Sequence, residues 1–239
     1  MRSVTEWAQA FNLMYNNMAS DKAPGLEPFE VSRLLTDAQD AVVVGLYKGT
    51  FGDAFESTEE VTSYLDTLVR QCTGEEVDDT ELTPLMGGCR ISEKSSVFRL
   101  APENGDDILF RTLEFCEVTT DCGTERAAVV PVTQDEFWRT ERNPFKRQNG
   151  RRVLRLSFAG ADTAETFSVV RYSELVSDFP IESYTVRYIR RPSPVILEEL
   201  PEGLDINGQT AVQTCLLPEA LHQTILAEAV RMAKAIWNA

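Results

Sequence analysis

Side chains able to do acid–base or nucleophilic work are few in this chain, and their spacing does not favour catalysis. Two carboxylate pairs, Asp78-Asp79 and Asp106-Asp107, are of the kind that glycoside hydrolysis uses, and a cell-wall glycosidase is one reading they allow. Both pairs lie in acidic, turn-like stretches, where solvated loop charge is the ordinary explanation. His222 is the single histidine, so any Ser–His or Cys–His nucleophile would have to use it. Its place beside Glu219 near a helix start reads instead as a surface or capping histidine. The five cysteines, Cys72, Cys89, Cys116, Cys122 and Cys215, are odd in number and show no CxxC spacing. They read as reduced thiols, and with one histidine no zinc site is expected. Met86-Gly87-Gly88-Cys89 could form a backbone nest for an anion, although no helix follows it. GxGxxG, Walker, GxSxG and HExxH motifs are absent, and no cofactor is expected.

The strongest functional signal is a basic cluster: Arg139, Arg142, Lys146, Arg147, Arg151, Arg152 and Arg155, with Phe137, Trp138 and Phe145 interleaved. Such a pattern suits nucleic acid or a carboxylate-rich partner, and a solvated strand face is the plainer alternative. The net charge of −15 argues against general affinity for DNA phosphates and turns the reading towards protein partners. Charge is also unevenly placed. Asp53–Glu125 holds 18 acidic and 5 basic residues, whereas Arg139–Arg191 holds 11 basic and 6 acidic. Surfaces of opposite sign on one chain suit association between copies, because complementary potentials fix register and speed encounter.

These residues need elements to position them. The pivotal stretch is Ser183–Leu197, where Tyr184, Val186 and Tyr188 share one face of a strand and Thr185 and Arg187 the other. Pro192 and Pro194 then remove two backbone donors, so the ladder must stop or move to an edge. Upstream, Val4, Trp7, Phe11, Met14, Tyr15 and Met18 predict a helix over Ser3–Ala19, broken by Ala23-Pro24-Gly25. Pro28 opens a second helix with Phe29, Leu34, Leu35, Ala38, Val42 and Leu46 buried, ended by Gly45 and Gly49–Gly52. Ser57-Thr58-Glu59-Glu60 caps a third, striped by Val61, Tyr64, Leu65, Leu68 and Val69. From Cys72 to Ser96 the pattern fails, which predicts an irregular connection.

The period then changes to two. Val97–Leu100, Ile108–Phe115, Ala127–Val132, Val153–Phe158, Thr166–Tyr172 and Tyr184–Ile189 are strand candidates. Asn104-Gly105, Asn149-Gly150 and Asn207-Gly208 are hairpin-turn signals. Thr133-Gln134-Asp135-Glu136 caps a short helix that carries Phe137 and Trp138 inward until Asn143-Pro144. Pro218-Glu219 begins a final helix striped by Leu221, Ile225, Ala229, Met232 and Ile236. The expected fold is α+β: an N-terminal helical hairpin or bundle, a central antiparallel β-sandwich or barrel with an inserted short helix, and a C-terminal helix. The expected divisions are 1–71 helical, 72–96 irregular, 97–217 antiparallel β, and 218–239 a helix packing back on the first region. The N-terminus does not read as a signal peptide, and no apolar run approaches the ~20 residues of a membrane span.

Several stretches together resemble a virion structural protein of crAss-like short-tailed bacteriophages. They are Phe11–Asn17, Ala23–Leu26, Leu34–Gln39, Pro131–Phe137, Asn143–Phe145, Arg152–Leu156, Tyr184–Ile189, Pro194–Leu197 and Leu221–Val230, in the same order across both ends, with 50–100 outside the match. The resemblance implies a non-enzymatic head-to-tail ring, connector or adaptor protein of the virion neck or tail, assembled in the bacterial host cytoplasm. It implies a cyclic homo-oligomer, often twelve-fold, around the DNA channel, docked to portal and other neck or tail proteins. Genomic DNA would pass through without sequence-specific binding, and an acidic lumen built from Asp53–Glu125 would let it slide. On this reading Arg187, Arg190 and Arg191, with Arg151 and Arg152, carry subunit contacts, while Pro192 and Pro194 stiffen the presented strand. The alternative from another class is a receptor- or glycan-binding tail component, which requires exposed aromatics on one sheet face.

Overall fold

A computed structural model of the chain describes residues 2–18, 25–50, 59–78, 90–102, 106–161 and 169–237. The chain forms two compact units: 1–68 with 191–239, and 69–190.

The first unit is helical. Helix α1 (Val4–Met18) starts with a reciprocal cap, in which the Glu6 carboxylate accepts the Ser3 amide at 2.7 Å and the Ser3 hydroxyl accepts the Glu6 amide at 3.3 Å. Helix α2 (Pro28–Lys48) opens on its proline and closes on Gly49, whose φ of 75° lets the chain turn off left-handedly. Gly45 does not end this helix; it is a buried interior position. Helix α3 (Glu59–Leu65) is short and runs into a 3₁₀ turn, Asp66–Leu68, burying Leu65 and Leu68. The capping residues expected at Ser57 and Thr58 lie outside the described residues. The last helix, α5 (Glu219–Trp237), packs against α1 and α2 through Leu221, Ile225, Ala229 and Ala233, while Ile236, expected on that stripe, is exposed.

The second unit is a closed barrel of seven strands: β1 (Val69–Glu76), β2 (Ser95–Leu100), β3 (Ile108–Thr120), β4 (Gly123–Pro131), β5 (Arg152–Ala161), β6 (Val169–Val176) and β7 (Ile181–Arg190). Around the barrel the order is β1-β2-β6-β5-β4-β3-β7, returning to β1. A barrel, one of the two expected forms, therefore replaces the sandwich, and closure pairs every strand with a neighbour on both sides over at least part of its length. The strand face read from sequence points inward: Tyr184, Val186 and Tyr188 join Phe98, Leu100, Cys116, Val153 and Leu175 in the core.

Two local expectations are overturned. Val69–Glu76 is a strand, although Val69 was expected on the stripe of the third helix and Cys72–Glu76 within the irregular stretch. The β4–β5 pair is parallel, so the sheet is not wholly antiparallel. The stretch 132–151 between these strands is a crossover carrying helix α4 (Phe137–Arg142), the kind of long connection that parallel strands need. Turn chemistry divides too. Asn207 and Gly208, with φ of 54° and 73°, form the expected tight hairpin between bridged Ile206 and Gln209. At Asn149 the bridge is to Arg152, so Gly150 and Arg151 are the central turn residues. Asn104-Gly105 lies outside the described residues.

Candidate functional site

Within the helical unit, the Pro-Ser-Pro step is a strap laid on α2. Ser32, Thr36 and Gln39 recur at four- and three-residue steps, so they share one helix face. The Ser32 hydroxyl accepts the Leu197 amide at 3.0 Å, and the Thr36 hydroxyl accepts the Val195 amide at 3.1 Å. Gln39 Nε2 donates to the Ser193 carbonyl at 2.8 Å. Residues 193, 195 and 197 thus direct their backbone to α2, and Pro192 before them and Pro194 between them have no N–H to satisfy. Both prolines are buried, and Arg191 pairs with Asp40 at 3.3 Å. His222, expected as a surface or capping residue, is buried against Trp7 with ring centroids 4.9 Å apart, and its Nε2 donates to the Leu217 carbonyl at 3.0 Å. Burial lowers its pKa, which keeps the ring neutral.

The barrel places the other expected contact residues at separate points. Arg151 and Arg187 are exposed. Arg152 is tied down, its Nη1 donating to the Phe145 carbonyl at 2.8 Å, and Arg190 pairs with the half-buried Asp106 at 3.2 Å. Arg151 and Arg152 precede or begin β5 while Arg187 lies on β7, and β4 and β3 stand between those strands. The sequence cluster is therefore split. Arg155 leaves it for the barrel interior, whereas Arg139, Arg142, Lys146, Arg147 and Arg151 remain exposed around α4.

Helix α4 presents a surface that the sequence reading half missed. Phe137 is fully buried against Leu154, Leu156 and Val176, as expected. Trp138 is not carried inward: it is 53% exposed, and Phe145 beyond it is 87% exposed. Adjacent helix residues lie about 100° apart, so both could not face one core. The helix also starts at Phe137, with Glu136 at its N-cap making no side-chain capping bond. Trp138, Arg139, Arg142 and Phe145 line a shallow hollow of about 750 Å³.

A second arrangement was not anticipated at all. Glu114 on β3 receives the Tyr184 hydroxyl as a hydrogen-bond donor, and Arg155 Nε on β5 stands 2.9 Å away as an ion pair rather than an aligned hydrogen bond. Arg111 lies 3.6 Å from the same carboxylate and donates to the Ser173 hydroxyl at 3.0 Å. Burial, then Glu114, raises the Tyr184 pKa, so the phenol stays protonated and donating. Burial also lowers the Arg155 pKa, opposed by the Glu114 charge. Alternation along β3 and β5 places these charges inward, but a strand's period does not reveal that the interior is polar. The catalytic candidates do not converge. Asp106 is the partner of Arg190, Asp107 is exposed, and Asp79 lies outside the described residues, as does the Met86–Cys89 nest. Among the described residues no cluster of metal-ligating side chains occurs, and no helix is long and apolar enough to cross a membrane.

Residues 2–238 match the family described as phage tail ring protein 3/4. The chain belongs to this family. It is 34% identical to Ring protein 3 of Bacteroides phage crAss001, over 95% of this chain and 93% of that protein. It is also 28% identical to Ring protein 4/5 of the same phage, over 99% and 94% of the two chains. The similarity to a crAss-like virion structural protein is thereby established, and this ring-family member is a structural component of a phage particle. The match runs through residues 50–100, which the sequence reading had left outside it.

Proposed function

We propose that this chain is a non-enzymatic subunit of the portal-to-tail assembly, forming a cyclic, twelve-fold homo-oligomer around the DNA channel and docking to neighbouring neck or tail rings. The observation that carries the reading is the surface around α4. Trp138 and Phe145 stand in solvent among Arg139, Arg142, Lys146, Arg147 and Arg151. Aromatic and arginine side chains are the residues that dominate buried interface cores. A cationic aromatic patch on a chain of net charge −15 finds its complement on another copy. A patch that meets a different patch makes a head-to-tail contact, and head-to-tail contacts close into rings when their rotation permits.

Of the seven residues expected at subunit contacts, Arg151 and Arg187 reach the neighbour directly. Arg152, Arg190 and Arg191 hold local structure through the partners described above, and Pro192 and Pro194 stiffen the strap. The exposed acids within the acidic stretch Asp53–Glu125, among them Glu75, Glu76, Asp78, Asp107 and Asp121, line the channel and let DNA pass without adhering.

The test is the mass of the assembly by light scattering, for the wild type and for W138A/F145A with R151E/R187E. The wild type assembles and the substituted chain, with its circular dichroism unchanged, loses at least tenfold in association, since losing a buried aromatic anchor costs about 2 kcal/mol or more. Undiminished assembly rejects the patch as the subunit contact.

A further inference from the structure

The barrel wall is not evenly laced. β4 pairs with β3 over Phe115–Thr120 and with β5 over Arg152–Arg155, so Ala128 alone is shared. Beyond that point, among the described residues, Ile108–Glu114 of β3 pairs with β7 only, and Leu156–Ala161 of β5 pairs with β6 only. The two strand edges part and leave a cleft of about 530 Å³ lined by Phe110, Arg111, Glu114, Arg155, Phe158 and Arg171. Two register shifts in β3, between Ile108 and Phe110 and between Arg111 and Leu113, flank Arg111. Bulges of this kind bend a strand and re-aim its side chains.

The charges lining the cleft are three arginines and one glutamate, the reverse of the chain's overall balance. Arg155 and Arg111 are about nine-tenths buried and held in place by Glu114, Ser173 and Ser157, so they are ordered before any occupant arrives. Arg171 at the rim is exposed. Ordered guanidiniums in a partly dry cleft recognise a carboxylate, because the ordering cost is already met and the local dielectric strengthens the pairing. The helical unit carries a matching element. Glu198, Glu199, Glu202 and Asp205 are all exposed with no basic residue among them, and the Leu204 amide donates to the Pro201 carbonyl at 3.0 Å to make a tight turn with Glu202 at its tip.

We propose that the cleft between β3 and β5 receives the Glu202-bearing turn of a second copy of this chain, its carboxylate meeting Arg155, Arg111 and Arg171. The assignment rests on the reading of this chain as a self-assembling ring subunit. Each subunit would then give its turn to one neighbour and receive the turn of the other, a unidirectional contact suited to a closed ring.

Two single variants at exposed positions, E202R and R171E, test this without disturbing the core. Each alone should lower association about tenfold or more, as loss of one partner of a desolvated charge pair does. Mixing the two variants in equal amounts should restore assembly, since each reversed turn can then enter a reversed cleft on a different molecule. The double variant should assemble on its own. Wild-type rings with both single variants unimpaired would overturn the cleft assignment and leave the ring reading standing. Impaired singles that recover in the double variant but not on mixing would place the contact within one chain, and singles that recover in neither would deny a direct pair. Both results overturn the proposal. A wild type that never self-associates would overturn the proposal and the ring reading together.

Discussion

Arg155, the last β5 residue laddered to β4, meets Glu114 on β3 at 2.9 Å, one residue past the end of the β3–β4 ladder at Phe115. The ion pair bridges β3 and β5 at the point where the wall begins to open. Removing the carboxylate while leaving the arginines buried should cost about 3–5 kcal/mol, far more than losing an exposed pair. E114A should therefore unfold at much lower urea than wild type, with E114Q between them because it keeps volume and hydrogen-bond acceptance. A midpoint unchanged in E114A would mean that the cluster is hydrated and not part of the barrel's stability.

The strap on α2 makes a separate claim. Val195 and Leu197 each give a buried amide to a side chain, so S32A and T36A leave an orphaned donor, at about 1–3 kcal/mol each. Hydrogen exchange at those two amides should speed up by about tenfold or more, with amides in the barrel unaffected. Retained protection at Val195 in T36A would show that the strap is held by its apolar contacts alone.

Mild acid should weaken the helical unit through its buried histidine. The folded-state pKa of His222 is lowered by burial, so the unfolded chain binds the extra proton first. Its contribution to stability is full above the unfolded value of about 6.5 and is lost as pH falls from there towards the folded value. Stability measured between pH 7 and 5 should decline in the wild type and decline less in H222Q. Equal slopes in the two proteins would assign the loss to other groups.

Gly74 explains why one strand escaped the sequence reading. In β1 the inward positions include Cys72 and Gly74, so Val-Arg-Gln-Cys-Thr-Gly-Glu-Glu shows no apolar alternation. A Cβ on Gly74 would come within 2.9 Å of the Tyr184 ring and 3.1 Å of Phe98, so the bulk needed on that face comes from neighbouring strands. G74A should destabilise the barrel by about 1–3 kcal/mol through overpacking, read as a lower melting temperature. A neutral G74A would mean that the two rings shift freely.

The remaining six strands and most helices were legible because half-buried elements print their period in the sequence. Tyr184, Val186 and Tyr188 are the clearest case, and Leu34, Leu35, Ala38, Val42 and Leu46 on α2 are another. The sites were harder to read. A charged residue at an inward position looks the same in sequence as one facing water, which hid Arg155 and Glu114. Trp138 beside Phe137 could not be assigned a face from composition, since one of two adjacent aromatics on a short helix must turn outward. Charge and stiffness alone do not distinguish the seven contact candidates; burial separates the exposed Arg151 and Arg187 from the packed Pro192 and Pro194.

The most direct measurement is the native mass of the purified chain, whose single subunit weighs 26.8 kDa. The account predicts one closed oligomer at an integral multiple of that mass, twelve copies for the proposed ring, dissociating at high salt as the charged contacts are screened. A sharp monomer peak across a wide range of concentration and low ionic strength would contradict it.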